Sequence, residues 1–216
     1  MQSAPSPAEL HADVAARLAA TPGVQKLPSP KLTLFVWRGF LPADLCASLL
    51  PRIDAVRRPS TLADANGDAL FRTSETGDLP GDDPLTQAVE TRLHEALAID
   101  PDFGERLQGQ RYAVGQEFKA HTDYFEPQNP DYLRHCGRAG NRTWTAMIYL
   151  NVPEAGGATR FKAVDKTIQP ETGKLVVWSN RRADGSLNPA SIHHGMKVRA
   201  GTKYVLTKWY RERSWR

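Results

Sequence analysis

Two stretches in the second half of the chain alternate at every second residue: TWTAMIYL at 143–150 and TKYVLTKWY at 202–210. A period of two is typical of β-strands, because successive side chains point to opposite faces of a sheet. Further short apolar runs, separated by Gly and Pro turns, follow one another from about residue 105 onward. Such short strands predict an antiparallel sandwich or barrel.

The first hundred residues have a different pattern, which predicts helices. SPAE at 6–9 has the Ser, Pro and Glu of a helix start with a capping box. Apolar residues then recur every four positions from Leu10 to Leu18, as on one face of a short helix. Two further helices are predicted, one starting at Pro42 and one following DDP at 82–84.

The length of 216 residues predicts a single domain. Residues 1–30 would form an N-terminal helical extension, and a β-rich catalytic core would span about residues 105–211. KLTLFVW at 31–37 is predicted as a strand from its β-branched and aromatic residues. The segment 57–81 is rich in Asp, Gly, Ser and Thr and is predicted to be a long, mobile and functional loop.

Composition and charge restrict the class of protein. Hydrophobic residues make up 40% and charged residues 24%, as in ordinary soluble proteins, and no apolar run reaches the length of a membrane span. The N-terminus lacks the features of a secretory signal, so a cytoplasmic location is expected. Cys46 and Cys136 have no zinc-binding spacing and are expected to be reduced thiols. A net charge of +4 without a nucleic-acid motif favours an acidic partner or anionic co-substrate over DNA or RNA.

HTDYF at 121–125 contains two potential metal ligands. On an extended strand, residues i and i+2 point to the same side, so His121 and Asp123 would face one point. A return strand could bring His193 or His194 opposite them, about seventy residues later. Two histidines and one carboxylate form the ligand set of non-haem Fe(II) oxygenases. The alternative is a solvated His and Asp in a loop.

Lys203 lies ten residues after His193. An ammonium group inside a barrel needs an anionic partner, such as a dicarboxylate co-substrate, because an unpaired buried charge is very costly. The alternative is a lysine that points outward from an exposed strand. His11 and His94 fall in predicted helices and are expected to be exposed.

Four blocks of the chain resemble the prolyl 4-hydroxylase branch of the Fe(II)/2-oxoglutarate dioxygenases. They are YAVGQEFKAHTDYF (112–125), TAMIYLNVPEAGGATRF (145–161), GKLVVWSN (173–180) and SIHHGMKVRAGTKYVLTKWY (191–210). The blocks occur in the family's order and cover about half of the chain. The resemblance implies an α+β fold with a double-stranded β-helix core, which is a jelly-roll of the cupin-like kind, and with N-terminal helices packed on one sheet.

The resemblance also implies roles for individual residues. The implied iron ligands are His121, Asp123 and His193. In the family the distal histidine precedes the 2-oxoglutarate lysine by ten positions and a valine by five. Lys203 and Val198 both count back to His193, and His194 would then face the other side of the strand.

Lys203 would bind the distal carboxylate of 2-oxoglutarate through a charge-assisted contact. Tyr112 and Thr159 match hydroxyl groups that support this carboxylate, although ordinary strand packing would also explain them. The candidate substrate contacts are Trp209, Arg142, and Arg72 and Ser74 of the RTS at 72–74.

Other residues are expected to have no direct role. Trp178 is predicted to be a core residue, and His135 and Cys136 are predicted to be loop residues. Two positions depart from the family pattern: Lys197 stands where Pro is usual, and Tyr204 where Trp is common. Neither is a ligand position, but both could change the wall of the substrate pocket.

The implied reaction consumes 2-oxoglutarate and O2, releases succinate and CO2, and hydroxylates a C–H bond, with ascorbate as the reductant. A prolyl residue in a peptide or protein is the leading substrate. The alternatives are a free amino acid or other small molecule, a metal-holding β-barrel without oxidase activity, and a zinc hydrolase. A peptide would require an open groove between residues 57–81 and 124–140. The oligomeric state is left open.

Overall fold

The structure is a computed structural model that describes residues 5–60 and 70–215. The helices are α1 (Pro7–Ala20), α2 (Ala43–Val56), α3 (Pro84–Leu97) and α4 (Tyr132–Cys136). The strands are β1 (Val24–Lys26), β2 (Leu34–Trp37), β3 (Arg58–Pro59), β4 (Glu75–Asp78), β5 (Gln108–Tyr112), β6 (Phe118–His121), β7 (Arg142–Tyr149), β8 (Ala155–Gly156), β9 (Thr159–Phe161), β10 (Lys166–Ile168), β11 (Leu175–Ser179), β12 (His193–Gly195), β13 (Val198–Ala200) and β14 (Lys203–Arg211). Short 3-10 turns lie at Pro101–Phe103, Lys162–Val164 and Pro189–Ser191.

The strands form a large sheet of eight strands, a small sheet of four, and a separate pair. The large sheet has the order β1-β2-β11-β7-β14-β5-β4-β3, the small sheet β10-β9-β12-β6, and the pair is β13-β8. Neighbouring strands are antiparallel. The two stretches with alternating side chains are β7 and β14, which pair directly near the middle of the large sheet. Helices combined with antiparallel sheets confirm the coarse fold prediction.

The alternation along β7 divides the core into two clusters. Trp144 and Ile148 belong to the cluster that the helices cover, together with side chains of α1, α2 and α3. Met147 and Tyr149 point to the opposite face and pack with Phe161 of the small sheet. Because each fully buried apolar side chain contributes about 1.5–3 kcal/mol, the register of β7 is strongly fixed. The space between the two sheets holds the candidate site.

The predicted helix starts are confirmed. The Ser6 hydroxyl accepts a hydrogen bond from the Glu9 N–H, and the Glu9 carboxylate accepts one from the Ser6 N–H, which completes the capping box of α1. The Asp83 carboxylate caps the first turn of α3. Helix α2 begins at Ala43, directly after Pro42, without a side-chain cap. None of the helices within the described ranges is long and apolar enough to cross a membrane.

The loop prediction for 57–81 is wrong in part. Its end forms β4, which pairs with β5 at the edge of the large sheet. Gly77 and Gly109 lie opposite each other there, and any side chain at Gly109 would collide with Ile53 of α2. Close packing of α2 on two glycines therefore makes a strand from the polar sequence ETGD. Residues 61–69, part of the predicted loop, lie outside the described ranges.

The prediction of an exposed His11 is also wrong. His11 is buried between α1 and the large sheet, and its two ring nitrogens contact the hydroxyls of Ser179 at 2.9 Å and Thr33 at 3.3 Å. The two cysteines are buried free thiols, as predicted.

Candidate metal centre and active site

Three of the predicted residues meet between the two sheets. His121 ends β6 and His193 begins β12, and the two histidines are direct partners across these antiparallel strands. Asp123 follows two residues after His121, and its oxygens lie 3.8 Å from His121 Nε2 and 3.9 Å from His193 Nε2. One potential ligand atom from each residue lies within 4.8 Å of the others. This is the one such group within the described ranges that could hold a metal ion.

Backbone carbonyls orient both rings. His121 Nδ1 lies 2.7 Å from the Lys119 carbonyl oxygen, and His193 Nδ1 lies 3.0 Å from that of Ser191. A carbonyl only accepts hydrogen bonds, so each Nδ1 carries the proton and each Nε2 lone pair is free toward Asp123. His194 Nε2 instead contacts Glu117 Oε2 at 2.9 Å, away from this group.

Burial and the nearby His193 hold the pKa of His121 well below its usual value. The ring is therefore neutral near pH 7, which is the form that binds a metal. Burial works to raise the pKa of Asp123, but His193, His121 and Arg142 and a hydrogen bond from Thr145 outweigh it, so the net shift is downward. Asp123 is thus an ionised carboxylate beside the neutral imidazole of His121.

Two polar residues that the sequence did not reveal support Asp123. Thr145 on β7 donates a hydrogen bond of 2.7 Å to Asp123 Oδ2, and Asn180 donates one of 2.9 Å to the Thr145 hydroxyl. Both are buried. One available signal was the position of Thr145 in the period-two pattern, which turns it toward the small sheet with Met147.

Lys203 points inward instead of outward. It begins β14 directly opposite Tyr112 of β5, and only 2% of its surface is exposed. Its ammonium lies 4.9 Å from the ring centroid of Tyr112 and 5.3 Å from that of Tyr149. Burial lowers the pKa of Lys203 to about 7. Within residues 5–60 and 70–215, no carboxylate forms an ion pair with it.

One cavity is lined by both the His–Asp–His group and Lys203. The other lining residues that matter here are Tyr112, Thr159, Gln110, Trp178 and Trp209. The Tyr112 hydroxyl donates to Gln110 Oε1 at 2.9 Å, and the Thr159 hydroxyl accepts from Tyr149 at 2.7 Å. Trp178 is buried as predicted, but its ring also meets His193 edge-on at 4.7 Å, so a core assignment alone is incomplete.

A wider groove of about 790 Å3 opens on the same metal group, since His121, Asp123 and Trp209 line both spaces. Arg72 and Arg142 line this groove. Its two walls come from the ends of the predicted loop at 57–81 and from the segment that follows Asp123. Ser74 lines neither space; it is buried and bonds to Ser60 and Arg72. The prediction of Ser74 as a direct substrate contact therefore lacks support.

Arg142 is held rigidly in the groove wall. Its guanidinium lies 4.0 Å from the ring of Trp209 and donates two hydrogen bonds, of 2.7 and 2.8 Å, to Glu105. Glu105 also accepts a bond of 2.6 Å from Arg211. Burial works to raise the pKa of Glu105, but the guanidinium groups of Arg142 and Arg211 outweigh it, so the net shift is downward. Sequence reasoning missed Glu105, because its partners are far away in the chain.

A family model described as the 2OG-Fe(II) oxygenase superfamily matches residues 107–211, the region that contains every lining residue of the cavity. The chain belongs to the 2OG-Fe(II) oxygenase superfamily. Among curated proteins, the prolyl 4-hydroxylase subunit alpha-1 of Rattus norvegicus is 34% identical over 146 residues, 67% of this chain. The alignment spans only 27% of that longer protein.

Solved structures show the same fold for this oxygenase. A viral collagen prolyl hydroxylase from Paramecium Bursaria Chlorella virus-1, in a 2OG complex, aligns with a TM-score of 0.66 at 24% identity, covering 82% of this chain and 94% of that one. A prolyl hydroxylase from Trichoplax adhaerens, bound to a hypoxia inducible factor peptide fragment, gives 0.63 at 16% identity, with coverage of 95% and 90%. At these identities the likeness concerns the fold alone.

The donor atoms fit the cofactor of a 2OG-Fe(II) oxygenase. Two imidazoles and one carboxylate within 4.8 Å match the facial ligand set of Fe(II), which leaves other coordination positions open. The buried ammonium of Lys203, which has no carboxylate partner among the described residues, matches a dicarboxylate. Fe(II), 2-oxoglutarate and O2 are therefore the cofactor and co-substrates, whereas ascorbate stays a prediction.

The RTS at 72–74 is docked on the strand that carries His121. The Thr73 N–H and hydroxyl both donate to the Glu117 carbonyl at 3.1 Å, and the Thr73 hydroxyl accepts from the Glu117 N–H at 2.9 Å. The Lys119 N–H donates to the Phe71 carbonyl at 2.9 Å. Because the Glu117 carboxylate also contacts His194, this contact joins the RTS to both β6 and β12.

His135 and Cys136 are not loop residues in this oxygenase; they end helix α4. The His135 ring stacks on Phe125 at 4.8 Å with an angle of 9°, and it lines the groove. His135 therefore lies in the wall of the groove, which its assignment as a loop residue did not predict. The position of His135 against Phe125 in the groove could not be inferred from the sequence, since the family pattern does not include His135.

Proposed function

We propose that this oxygenase hydroxylates a C–H bond of a prolyl residue in a peptide or protein. One molecule each of 2-oxoglutarate and O2 would be consumed, one oxygen atom would enter the substrate as hydroxyl, and succinate and CO2 would be released. The observation that carries this proposal is the single cavity lined by His121, Asp123, His193 and the buried Lys203. A metal-holding barrel without activity would have no need for a buried ammonium in this cavity.

His121, Asp123 and His193 would hold the iron, and bound Fe(II) would supply the activation of O2 for C–H oxidation. The backbone carbonyls on both Nδ1 atoms keep the two rings in the tautomer that binds metal. Thr145 fixes the Asp123 carboxylate. These groups define the geometry before the metal arrives.

Lys203 would bind the distal carboxylate of 2-oxoglutarate, and the hydroxyls of Tyr112 and Thr159 would lie beside it in the same cavity. This pairing would restore the ammonium charge that burial now disfavours. The buried rings of Tyr112 and Tyr149 lie beside the Lys203 ammonium and keep bulk water away from this end.

The groove supports a peptide as the substrate. It opens between the two segments expected to frame a peptide, and its volume of about 790 Å3 exceeds what a free amino acid requires. Arg72, Arg142 and Trp209 would contact the peptide, and Ser74 would support Arg72. The name of the rat relative and the peptide bound to the Trichoplax protein point in the same direction.

We infer, in addition, that the two sheets form a double-stranded β-helix, the jelly-roll that the family resemblance implies. The large and small sheets face each other across one cluster of buried side chains, which supports this assignment. We also infer a single domain, because side chains from the first helix to the last strand share one core.

The experiment is to incubate the purified protein with Fe(II), ascorbate and 2-oxoglutarate and to measure succinate. The assay is run without added substrate, with a panel of proline-containing peptides, and with free proline. We expect succinate formation that peptides stimulate, together with a peptide mass increase of one oxygen atom. Stimulation by free proline alone would favour the small-molecule substrate. If the protein neither forms succinate nor binds 2-oxoglutarate, the enzyme assignment is contradicted.

A further inference from the structure

The substrate groove has more positive than negative side chains. Four arginines and three carboxylates line it: Arg58, Arg72, Arg134, Arg142, Glu105, Asp123 and Glu126. With Asp123 committed to the iron, four cations face two anions. The surplus indicates that something negative belongs in the groove.

Most of these charges already have a partner or lie in solvent. Arg58 pairs with Asp78 at 2.8 Å, and Arg142 pairs with Glu105. Arg134 and Glu126 are exposed at the rim, where water screens them. Arg72 is the exception, because it is largely enclosed and no described carboxylate forms an ion pair with it.

The hydrogen bonds of Arg72 orient its guanidinium without neutralising it. Its Nε donates to the Ser74 hydroxyl at 3.2 Å, and one Nη donates to the Thr76 hydroxyl at 2.9 Å and to Gln108 at 3.4 Å. All three acceptors are neutral. The second Nη has no partner within the described ranges and remains available for a ligand.

The Arg72 guanidinium lies next to the metal group. The Arg72 guanidinium is 4.8 Å above the ring of Phe118, and this ring stacks on His121 with centroids 3.4 Å apart and an angle of 14°. Only one aromatic ring therefore separates Arg72 from an iron ligand. An anion bound there would sit close to the metal group.

The co-substrate would not neutralise Arg72. In the proposed loaded centre, Fe(II) and the Lys203 ammonium carry three positive charges, and Asp123 with the 2-oxoglutarate dianion carries three negative charges. The centre is neutral without Arg72. An enclosed cation without a counter-ion is costly, whereas a carboxylate can accept two parallel bonds from a guanidinium.

We propose that the substrate of this oxygenase presents a carboxylate to Arg72, at or next to the hydroxylated prolyl residue. The inference rests on the proposed function and deepens it, since it turns a prolyl peptide into an acidic prolyl peptide. Two sources share this chemistry: an Asp or Glu side chain beside the proline, and the terminal carboxylate of a C-terminal proline.

The test compares peptides that differ only in charge. One pair has Asp or Asn next to the proline, on either side, and a second pair ends in proline with a free carboxylate or an amide. The readout is kcat/KM for peptide-stimulated succinate, with the basal succinate rate of each protein subtracted. We expect the acidic member of one pair to be favoured about tenfold or more. The pair that shows the preference identifies the source of the carboxylate.

Variants of Arg72 connect the preference to this side chain. Arg72→Gln should abolish the ratio between acidic and neutral peptides, and Arg72→Glu should favour a peptide with Lys in the acidic position. Arg58→Gln is the matched control, because Arg58 also lines the groove but already pairs with Asp78, and it should keep the ratio. A ratio within one protein does not depend on how much of that protein is folded.

Equal kcat/KM for acidic and neutral peptides in the wild type would overturn the inference, as would a preference that survives in Arg72→Gln. Acidic peptides that are neither bound nor turned over would also overturn it. In these cases basal formation of succinate would leave the proposed function standing. Absence of any succinate would instead remove the proposed function itself.

Discussion

The co-substrate cavity and the substrate groove share His121 and Asp123, yet the chain builds them in different ways. In the cavity, His121 faces His193 and Lys203 faces Tyr112 as direct partners on neighbouring strands. Backbone hydrogen bonds of two sheets therefore fix their relative positions. In the groove, Arg72 lies on the short RTS segment, which a few backbone and side-chain hydrogen bonds join to β6, and His135 ends the short helix α4.

The two regions also differ in how their charges are arranged. The cavity keeps one ammonium free of any described carboxylate, as suits one dicarboxylate of constant shape. The groove ties Arg142 to Glu105 and leaves Arg72 with neutral acceptors. A cavity on paired strands serves chemistry that is common to the family, whereas a groove lined by connecting segments can specify a particular substrate. Substitutions in each region should therefore have separable effects.

The largest effect should come from the cavity. His193→Ala removes one of three metal donors, so we expect the affinity for Fe(II), measured with Mn(II) as the stable substitute, to fall about 100-fold or more. His194→Ala is the matched neighbour, because its ring contacts Glu117 and not the metal group. We expect it to keep metal affinity within a few-fold.

Equal losses in the two variants would mean that the metal group is assigned to the wrong histidine. Thermal unfolding without metal serves as the control, since both variants should remain folded. Activity in His193→Ala at wild-type level would contradict the ligand assignment altogether.

Lys203→Met should reduce the affinity for 2-oxoglutarate about 10- to 100-fold, because one charge-assisted contact is lost. The same substitution should not lower the melting temperature of the ligand-free protein, since it replaces an unpaired buried ammonium with an apolar group. Lys174→Met is the control: Lys174 is also buried, but it bonds to the Gln169 carbonyl at 2.9 Å and Glu171 at 2.8 Å.

The control should give the opposite pattern, with a lower melting temperature and unchanged affinity for 2-oxoglutarate. Calorimetric titration with Mn(II)-loaded protein measures the affinity. A destabilised Lys203→Met protein that still binds 2-oxoglutarate normally would refute the anchor.

The pH dependence of 2-oxoglutarate binding should follow Lys203. Its pKa is about 7 in the free protein, and a bound dianion favours the ammonium form, so binding takes up a proton above pH 7. Affinity should therefore change little from this group below pH 7 and fall about tenfold per pH unit above it. Titrations between pH 6.5 and 9 test this, and Lys203→Met should flatten the curve. A flat wild-type curve would contradict a buried, shifted lysine.

The sequence predicted the cavity well because strand geometry converts spacing into position. His121 and Asp123 are two residues apart, a spacing that an extended chain turns to one side. The place of Lys203, ten residues after His193, followed from the family resemblance, because β12 and β14 belong to different sheets. The capping box of α1 is similarly local, since its two hydrogen bonds join residues three positions apart.

The groove was less predictable because its contacts join distant residues. Glu105 meets Arg142 across 37 positions and Arg211 across 106, and no local pattern announces such pairs. The strand at Glu75–Asp78 has little β-propensity and depends on packing against α2. His11 could have been found: it lies three residues before Val14, which places it beside the buried stripe of α1.

The smallest expected effect concerns the contact between the two regions. Thr73→Val keeps the side-chain volume but removes both hydrogen bonds between the Thr73 hydroxyl and the Glu117 backbone. Each bond contributes about 1 kcal/mol, so the RTS at 72–74 should dock less tightly and present Arg72 less often. We expect KM for a stimulating peptide to rise about 3- to 10-fold and hydrogen exchange at the Lys119 amide, which bonds to Phe71, to accelerate.

Thr167→Val, on an exposed position of β10 in the same small sheet, is the matched control and should change neither quantity. In Thr73→Val the affinity for 2-oxoglutarate should stay at the wild-type value, because the strands that carry His121 and Lys203 keep their backbone partners. A parallel loss of 2-oxoglutarate affinity would show that the RTS contact also shapes the cavity. The two regions would then be one mechanical unit, and the separation between common chemistry and substrate choice would not hold for this oxygenase.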